Sequence, residues 1–533
     1  MKRYAILALL VAAGALYAQD SDEALNEFVI AFVGDSHELN PIYSITSTEA
    51  QIYQGVYEGL VSYAPRTLEP EPAIAERWEI SDDGLTYTFY LRRNARYSNG
   101  DRVTAQHFRD TWLRTIAPET DSAYNFLFDV IDGVREYRNS DDPDPSRVGI
   151  QAVNNTTLRV HLRNPASHFI RVLAHHSFVA VHPSLLDIRD WSRVDSIPVN
   201  GPYQFVSREE DQWIIERNPR YWDRDSVGID RIRFLFTDAE VDEVTERFNR
   251  GFIDWVTGGM TLGDVQFEDT IVINPLFATT YYFIRSDREP FSDPDVRRAL
   301  ALLLPWSEIR DPEILFTPAS TLVPSIPRYP TVVGLTAQDR DEAMALLAGA
   351  GFPQGRGLPE IVVHIPDGLE TARVAAIMKE SWESALDVQV TVLSTVYNDY
   401  FDALDRSRFT VGTVSWIGDF ADPLTFLQMW ISESNINDAG YTNPEYDELV
   451  DRAMAETSNE RFEIMAEAEA MLLQSGTVLP ISHIPSVNLI DRDAVDGWHP
   501  NPLDMHPLKV LQFSGTEPIP GVINYWHTPV PQQ

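Results

Sequence analysis

The segment of the chain best suited to bind a ligand is a short apolar run that ends in a carboxylate. It consists of Val414, Ser415, Trp416 and Ile417, which predict a β-strand, followed by Gly418 and Asp419. An exposed strand edge offers unpaired N–H and C=O groups to an extended peptide, whatever its side chains are. A carboxylate at the strand's end binds an ammonium through a charge-assisted hydrogen bond. The same spacing suits an aspartate that caps a turn before the helical run 424–430, so both interpretations stay open.

No catalytic motif stands out elsewhere in the chain. The sequence has no HExxH, no GxSxG and no glycine-rich phosphate loop. His175 and His176 are adjacent, so their side chains are expected to point in different directions, which favours structural roles over a metal pair. The carboxylate pairs at 82–83 and 141–142 lie in turn contexts unsuited to catalysis. The sequence therefore favours a binding protein over an enzyme, and it predicts no cofactor and no metal site.

The charge balance excludes whole classes of partner. The chain has 533 residues, with 42 Lys and Arg against 80 Asp and Glu, and a formal net charge of −38. Nucleic acids and anionic membrane surfaces need a basic footprint, so neither is an expected partner. The absence of cysteine excludes disulfides, thiolate metal sites, cysteine nucleophiles and lipid attachment at an N-terminal cysteine. With 44% hydrophobic residues, a chain of this length is expected to form two or three globular domains.

The N-terminus is typical of an export signal. Lys2 and Arg3 precede a short apolar run over residues 5–16, and Ala18 offers a small residue for cleavage. A membrane-spanning helix needs roughly 20 apolar residues, which is more than this run provides. We expect residues 1–18 to be removed, leaving a soluble extracytoplasmic protein that is not a lipoprotein.

Strand and helix patterns alternate along the chain, which predicts a mixed α/β fold. The run Trp78–Leu91 has apolar residues at every second position after Asp83-Gly84, a turn signal typical of a β-hairpin. The segments 341–347, 371–386 and 461–473 carry apolar residues at helical spacing, and we interpret these stripes as faces of a core.

Longer motifs resemble a known family, and they occur in that family's order. They are Leu39–Pro41, Tyr57–Val61, Pro72–Trp78, Ser81–Phe89, Ser98–Gly100, Asn200–Tyr203, Asn218–Trp222, Pro290–Asp293 and Val296–Leu300. The family is that of the oligopeptide-, dipeptide- and nickel-binding proteins of bacterial ABC importers, and the resemblance covers nearly the whole chain after residue 18. The motif Trp416–Phe420, with Pro423, is similar to the oligopeptide-binding branch.

The resemblance implies a two-lobed periplasmic-binding-protein fold of type II with an extra inserted domain. The implied division is a signal peptide at 1–18, a discontinuous first lobe at 19–65, 196–284 and 490–533, an inserted domain at 66–195, and a second lobe at 285–489. It also implies that the protein, as a monomer, captures oligopeptides between the lobes and delivers them to a permease–ATPase complex in the inner membrane. A same-fold binder of another solute, such as an oligosaccharide or a metal chelate, is the first alternative, and a secreted hydrolase is the second.

The resemblance also assigns roles within the ligand site. In the peptide-binding branch the aspartate that matches Asp419 holds the ligand's α-amino group, and the strand that matches 414–417 pairs with the ligand backbone. The segment Ile45 to Thr48, which includes Ser47, would form a facing strand. Three tyrosines match pocket aromatics of the family, namely Tyr124, Tyr282 and Tyr397.

One position departs from the family pattern. Well-known oligopeptide binders carry an arginine six residues before the aspartate, where it can meet a ligand carboxylate, and this chain has Thr413 there. Arg406 and Arg408 lie nearby but out of register. We therefore expect no fixed contact with the C-terminal carboxylate of a peptide through this position.

Overall fold

The computed structural model describes residues 26–33, 38–237, 241–311, 316–406 and 408–515. The signal segment predicted at 1–18 lies outside these residues. The strands are β1 (Glu27–Val33), β2 (Val61–Tyr63), β3 (Pro70–Pro72), β4 (Ala75–Ile80), β5 (Thr86–Leu91), β6 (Ile150–Asn154), β7 (Thr157–His161), β8 (Tyr203–Arg208), β9 (Gln212–Arg217), β10 (Arg231–Thr237), β11 (Trp255–Thr257), β12 (Ile271–Ile284), β13 (Thr317–Pro318), β14 (Ile361–Pro366), β15 (Val390–Thr395), β16 (Val411–Ile417), β17 (Val478–Ile490), β18 (Val495–Asp496) and β19 (Gln512–Phe513). The α-helices are α1 (Ser47–Val56), α2 (Ala105–Thr115), α3 (Val134–Arg138), α4 (Phe169–Val172), α5 (Val241–Asn249), α6 (Pro294–Leu302), α7 (Trp306–Ile309), α8 (Arg340–Gly349), α9 (Leu369–Ala385), α10 (Tyr397–Arg406), α11 (Leu424–Leu427), α12 (Pro444–Ala455) and α13 (Glu460–Gln474).

One large sheet passes through both lobes of the molecule. Its strand order is β15-β14-β16-β12-β17-β11-β1-β10-β9-β8, and β13 pairs with β17 beside this path. The long antiparallel strands β12 and β17 lie at its centre and link the two halves. We call the half that contains β1 and β8 to β11 lobe 1, and the half that contains β14 to β16 lobe 2. This mixed α/β architecture is the one expected from the sequence.

The ladder between β12 and β17 is interrupted where the chain passes from one lobe to the other. Its two paired stretches are 271–275 with 485–489 and 279–283 with 478–483. Pro275 faces Pro485 at the interruption, and a proline has no N–H to donate to a ladder. Little of this ladder therefore has to break if the lobes change their relative orientation. The lobe boundaries expected at 284 and 489 lie at the C-terminal end of β12 and one residue before the C-terminal end of β17. The interruption of the ladder lies in the middle of both strands.

Each lobe packs helices on the sheet around its own apolar core. In lobe 2, helix α9 buries Val374, Ala375, Met378 and Trp382, which lie on one face at helical spacing. They join a cluster with residues of β14 and of the helices α6 and α8. Burial of each large apolar side chain contributes roughly 1.5–3 kcal/mol. The helices predicted from the stripes at 341–347, 371–386 and 461–473 are confirmed as α8, α9 and α13, and the second stripe passes the end of α9 by one residue.

A second sheet, with strand order β4-β5-β7-β6, lies in residues 66–195, which we call the inserted domain. Its first two strands form the predicted hairpin, and Gly84 in the turn has a φ of 71°, a conformation that glycine adopts without strain. The apolar face of this sheet merges with α11 to α13 of lobe 2 into one cluster, which includes Phe89, Trp112, Phe420 and Trp430. The inserted domain is therefore packed directly against lobe 2.

No helix within the described ranges is long and apolar enough to cross a membrane. The same ranges contain no group of three or more metal-ligating side chains placed to share an ion.

A buried ion pair fixes the turn that follows β16. Arg461 donates from Nη1 and Nη2 to Asp422, at 2.6 and 2.8 Å, and both side chains are largely buried. Asp422 also accepts from the N–H of Leu424 at 3.0 Å, at the start of α11. Burial by itself raises the pKa of Asp422, but the guanidinium of Arg461 opposes this effect and the net pKa lies below its ordinary value.

We expect Arg461→Met to lower the free energy of unfolding by about 3–5 kcal/mol at pH 7, because the Asp422 charge is left buried and unpaired. A carboxyl with a lowered folded-state pKa contributes stability above its unfolded pKa and loses it as the pH falls through the folded value. The deficit should therefore shrink as the pH falls towards about 3. Urea unfolding between pH 3 and 7 measures it, with the exposed Arg356→Met as control. A deficit equal at all pH values, or equal in both variants, would contradict this assignment.

Candidate ligand-binding site

A large cavity lies where lobe 1, lobe 2 and the inserted domain meet. Its volume is about 1270 Å³, which exceeds the roughly 300–1,000 Å³ common for small-molecule pockets. Lobe 1 contributes Ile45 to Thr48, the inserted domain contributes Tyr124, His175 and His176, and lobe 2 contributes Val414 to Asp419. A ligand in this cavity would contact all three parts of the molecule.

Strand β16 presents a free backbone edge to the cavity. One edge pairs with β12 along residues 411–417, while the other meets β14 only at Val411. On that second edge the hydroxyl of Tyr400 accepts from the N–H of Thr413 at 3.0 Å and lies 3.1 Å from its carbonyl oxygen. Backbone groups in a strand alternate in direction, so those of Ser415 and Ile417 point to the same side as those of Thr413. Within the described residues, neither Ser415 nor Ile417 has a partner strand on that side.

Asp419 lies at the end of this edge, in a nearly closed environment. Its side chain is 5% exposed. Its N–H donates to Thr425 Oγ1 at 2.8 Å, and that hydroxyl donates to Asp419 Oδ2 at 3.2 Å. Burial raises the pKa of Asp419 to about 7, although the hydrogen bonds from Thr425 and from its own backbone oppose the shift. A carboxylate so placed gains most from a cation brought by a ligand.

The alternative role of Asp419 as a helix cap is not what the structure shows. The carboxylate that accepts from the first turn of α11 belongs to Asp422, through the N–H of Leu424. Asp419 is joined to α11 only through the hydroxyl of Thr425, and it lines the cavity. Its carboxylate therefore remains directed to a ligand site.

Two histidines that sequence reasoning assigned to structural roles lie on the cavity wall. Nε2 of His175 is 3.9 Å from Asp419 Oδ1, and both His175 and His176 contact the ring of Tyr124. Burial lowers the pKa of His175 well below its ordinary value and that of His176 to about 3. Both imidazoles are therefore neutral at pH 7 and do not balance the aspartate. No local pattern marks this contact, because the partners come from different domains.

The segment Ile45 to Thr48 does not form the expected facing strand. Thr46 caps helix α1 in a capping box: its hydroxyl accepts from the N–H of Glu49, and the Glu49 carboxylate accepts from the N–H of Thr46. These two bonds satisfy orphan donors of the first turn, which is why the chain turns into a helix here. Ile45 and Ser47 nevertheless line the cavity, and Ile45 is 51% exposed.

The three predicted aromatics have different positions. Tyr124 lines the cavity. Tyr282 is buried on the opposite face of β12, where its hydroxyl donates to the carbonyl of Thr371 at 3.0 Å, and its neighbour Tyr281 lines the cavity instead. The correction follows from the period of two along a strand. Tyr397 is the first residue of α10, and its side chain lies outside the described part of the structure.

The position that departs from the family pattern is not part of the cavity wall. Thr413 is 2% exposed, and its hydroxyl donates to the carbonyl of Tyr281 at 3.0 Å. Arg408 is exposed and does not line the cavity. Lobe 2 therefore presents neither of these two side chains to a ligand.

Comparisons with known proteins agree with this architecture. The family of bacterial extracellular solute-binding proteins, family 5, matches residues 69–438. The oligopeptide-binding protein OppA of Bacillus subtilis is 28% identical over 471 residues, which cover 83% of this chain and 85% of OppA. The crystal structure of the oligopeptide-binding protein OppAIV of Borrelia burgdorferi superposes with a TM-score of 0.82 at 26% identity, covering 91% of this chain and 99% of that one.

Two structures of one further relative share the fold with this chain to different degrees. The murein tripeptide-binding protein MppA of Escherichia coli superposes with a TM-score of 0.82, at 24% identity and over 92% of this chain and 99% of its own. An unliganded open form of MppA, over 92% of this chain and 97% of its own, reaches only 0.63. The family match spans most of the chain, and the fold agrees with that of solved relatives over about nine-tenths of it. The chain therefore belongs to the bacterial extracellular solute-binding proteins of family 5.

Proposed function

We propose that this protein is the peptide-capturing subunit of an ABC importer. It would bind an oligopeptide between its lobes outside the cytoplasm and deliver it to a permease–ATPase complex in the inner membrane. The observation that carries the proposal is the buried carboxylate of Asp419 at the end of the free edge formed by Ser415 and Ile417. The names of its relatives OppA and OppAIV, both oligopeptide-binding proteins, support the same ligand class.

The protein would recognise the bound peptide mainly through hydrogen bonds to the peptide backbone. Its α-ammonium pairs with Asp419, and its first residues lie along Ser415 and Ile417 as an added strand. Main-chain hydrogen bonds do not depend on side-chain identity, so this edge accepts many sequences. The surrounding volume of about 1270 Å³ leaves room for side chains of different size. The protein acts as a binder and performs no chemistry on the ligand.

Capture would be coupled to closure of the lobes. Ile45 belongs to lobe 1, whereas Ser415 and Asp419 belong to lobe 2, and all three line one cavity. A ligand makes its full set of contacts only when these parts are together, so binding shifts the population towards the closed arrangement. The interrupted ladder at Pro275 and Pro485 is where we place the hinge. We propose further that the mature chain begins near Gln19, is free in the extracytoplasmic space, and acts as a monomer.

The pairing of Asp419 with the α-ammonium can be isolated by a double-mutant cycle. Asp419→Asn keeps the size of the side chain and removes its charge, and should weaken a peptide by about 2–5 kcal/mol. Acetylation of the peptide's N-terminus should cost the wild type a similar amount and the variant much less, because the partner is already gone. Titration calorimetry measures all four combinations, with the exposed Asp82→Asn as the control variant. If acetylation weakens binding to the Asn variant as much as to the wild type, Asp419 is not the partner of the amine.

Peptide binding should release a proton below pH 7. In the arrangement of this structure, before a ligand enters, burial raises the pKa of Asp419 to about 7, and an ammonium beside it favours the ionised form, which lowers that pKa in the complex. Affinity should therefore rise roughly tenfold per pH unit well below pH 7 and level off above it. Calorimetry in two buffers of different ionisation enthalpy counts the protons, and the dependence should vanish in Asp419→Asn. Equal affinity at pH 5.5 and 7.5 in the wild type would contradict the linkage.

The backbone edge predicts an alternating response to N-methylation of the peptide. Methylation at a residue whose N–H pairs with Ser415 or Ile417 removes one hydrogen bond and adds a clash, and should weaken binding by about 1–2 kcal/mol. Methylation of the residues between them, whose N–H groups point the other way, should have little effect. A methyl scan of one peptide with an unmodified N-terminus tests this, and a uniform response along the scan would argue against strand addition.

A further inference from the structure

Helix α10 closes the end of the free strand edge that lies away from Asp419. The hydroxyl of Tyr400 accepts from the N–H of Thr413 at 3.0 Å and lies 3.0 Å from the carbonyl oxygen of His364 on β14. The ring of Tyr400 is buried. These contacts fix α10 against β14 and β16 at the residue where the edge of β16 stops being free.

Two apolar side chains flank Tyr400 at this end of the edge. Leu404 follows Tyr400 by four residues and so lies on the same face of α10, and Val396 directly precedes the helix. Both residues line the ligand cavity. Leu404 is 4% exposed and packs into the core, whereas Val396 is 59% exposed. Val396 therefore presents an apolar surface to the cavity that other residues leave largely uncovered.

The wall around these two residues is mainly apolar. Leu404, Val414 and Trp416 belong to one cluster of packed apolar side chains, and all three line the cavity. Lobe 1 adds Met260 and Leu262, which pack against a separate core cluster behind them. A single exposed apolar residue is common on protein surfaces, but several that share one cavity mark a site for an apolar group.

One carboxylate lies near this wall. Burial raises the pKa of Tyr281 and of Tyr400, and the negative charge of Asp438 raises both further, which places Asp438 near β12 and α10. Asp438 already interacts with another group of the protein. Among the described residues that line the cavity, none is a lysine or an arginine. A ligand side chain beside α10 therefore gains chiefly from contact with apolar groups.

The proposed pairing of the ligand determines which of its residues reaches this wall. Backbone groups that face one edge come from alternate residues of a strand, so a ligand bonded to Ile417 and Ser415 places its first three residues along the edge. The next group on that edge belongs to Thr413, and the hydroxyl of Tyr400 occupies it. The fourth residue of the ligand is thus the first beyond the free edge, beside α10.

We infer that the protein selects peptides with a large apolar side chain at the fourth or fifth residue, and that Val396 and Leu404 receive this side chain. The inference rests on the proposed function and deepens it, since it names a class within the oligopeptides. Burial of a leucine-sized side chain is favourable in proportion to the apolar area removed from water. A polar side chain of the same size would lose its hydrogen bonds to water there and gain none from these two residues.

Leucine and asparagine separate apolar character from shape, because their side chains have similar size and the same branching. Hexa-alanine with a free N-terminus is compared with peptides that carry leucine or asparagine at each of positions 2 to 5, by titration calorimetry on the full mature protein. At position 4 or 5, leucine should bind at least about tenfold tighter than asparagine, and the ratio at position 2 should be smaller. The leucine peptide should also bind with the more negative heat-capacity change, which marks burial of apolar surface.

A charge placed on the wall then tests the assignment to residues. Val396→Asp should reduce the ratio of leucine to asparagine affinity several-fold at the selective position, and binding of hexa-alanine shows that the variant is folded. The control is Val333→Asp, which adds the same charge at an exposed valine that does not line the cavity and should leave the ratio intact.

The outcomes separate this inference from the proposed function. If the ratio is near one at every position while hexa-alanine binds, the selection is wrong and the proposed function stands. If the ratio is large only at positions 2 and 3, or is unaltered in Val396→Asp, the assignment to Val396 and Leu404 is wrong. If no peptide binds to the wild type, the proposed function fails and this inference fails with it.

Discussion

The two long strands β12 and β17 link the two lobes, and the parts of the candidate site that lie on lobe 2 are positioned from them through β16. Strand β16 pairs with β12 over residues 411–417, so the register of that pair determines where Asp419 lies. On the other side, β11 and β1 extend the sheet from β17, and Asn488 of β17 donates to Asp504, which lines the cavity. A single ladder, interrupted at Pro275 and Pro485, thus sets the distance between groups that belong to different lobes while leaving a place where the lobes can turn.

The electrostatics of the site follow from this geometry. Burial raises the pKa of Asp419 to about 7, and the Thr425 hydroxyl and the His175 imidazole beside it are neutral. Without a ligand, this arrangement therefore holds either a bound proton or a buried charge, and a ligand ammonium would remove that cost. The same carboxylate would link recognition of the amine to the protonation state of the site.

Local patterns predicted local structure well, and they failed where two distant segments had to meet. The hairpin at Asp83-Gly84 and the stripe on α9 follow from turn chemistry and periodicity alone. The run from Thr46 to Glu49 is itself a capping-box signature, so the helix at α1 was readable from the sequence, and the facing strand expected there was an error of interpretation.

Other features of the site had no such local signal. Both faces of β12 are buried around residues 281 and 282, so alternation could not tell which of Tyr281 and Tyr282 faces the ligand. The contact of His175 with Asp419 depends on how the inserted domain packs on lobe 2, which no spacing within either segment encodes. The placement of Asp504 beside the same cavity likewise depends on the path of the chain after β17.

The contacts of Thr413 show how this position is packed. The hydroxyl of Thr413 donates to the carbonyl of Tyr281. The hydroxyl of Tyr400 accepts from the backbone N–H of Thr413 and lies within hydrogen-bond distance of its carbonyl oxygen. A long basic side chain at this position would have to displace one of these groups, so the lack of an arginine goes together with a packed end to the strand edge. For a peptide bound as proposed, the ladder then stops after Ser415, and the ligand beyond that point would be held by the shape of the cavity. Such a site would fix one end of its ligand and leave the length of the ligand open.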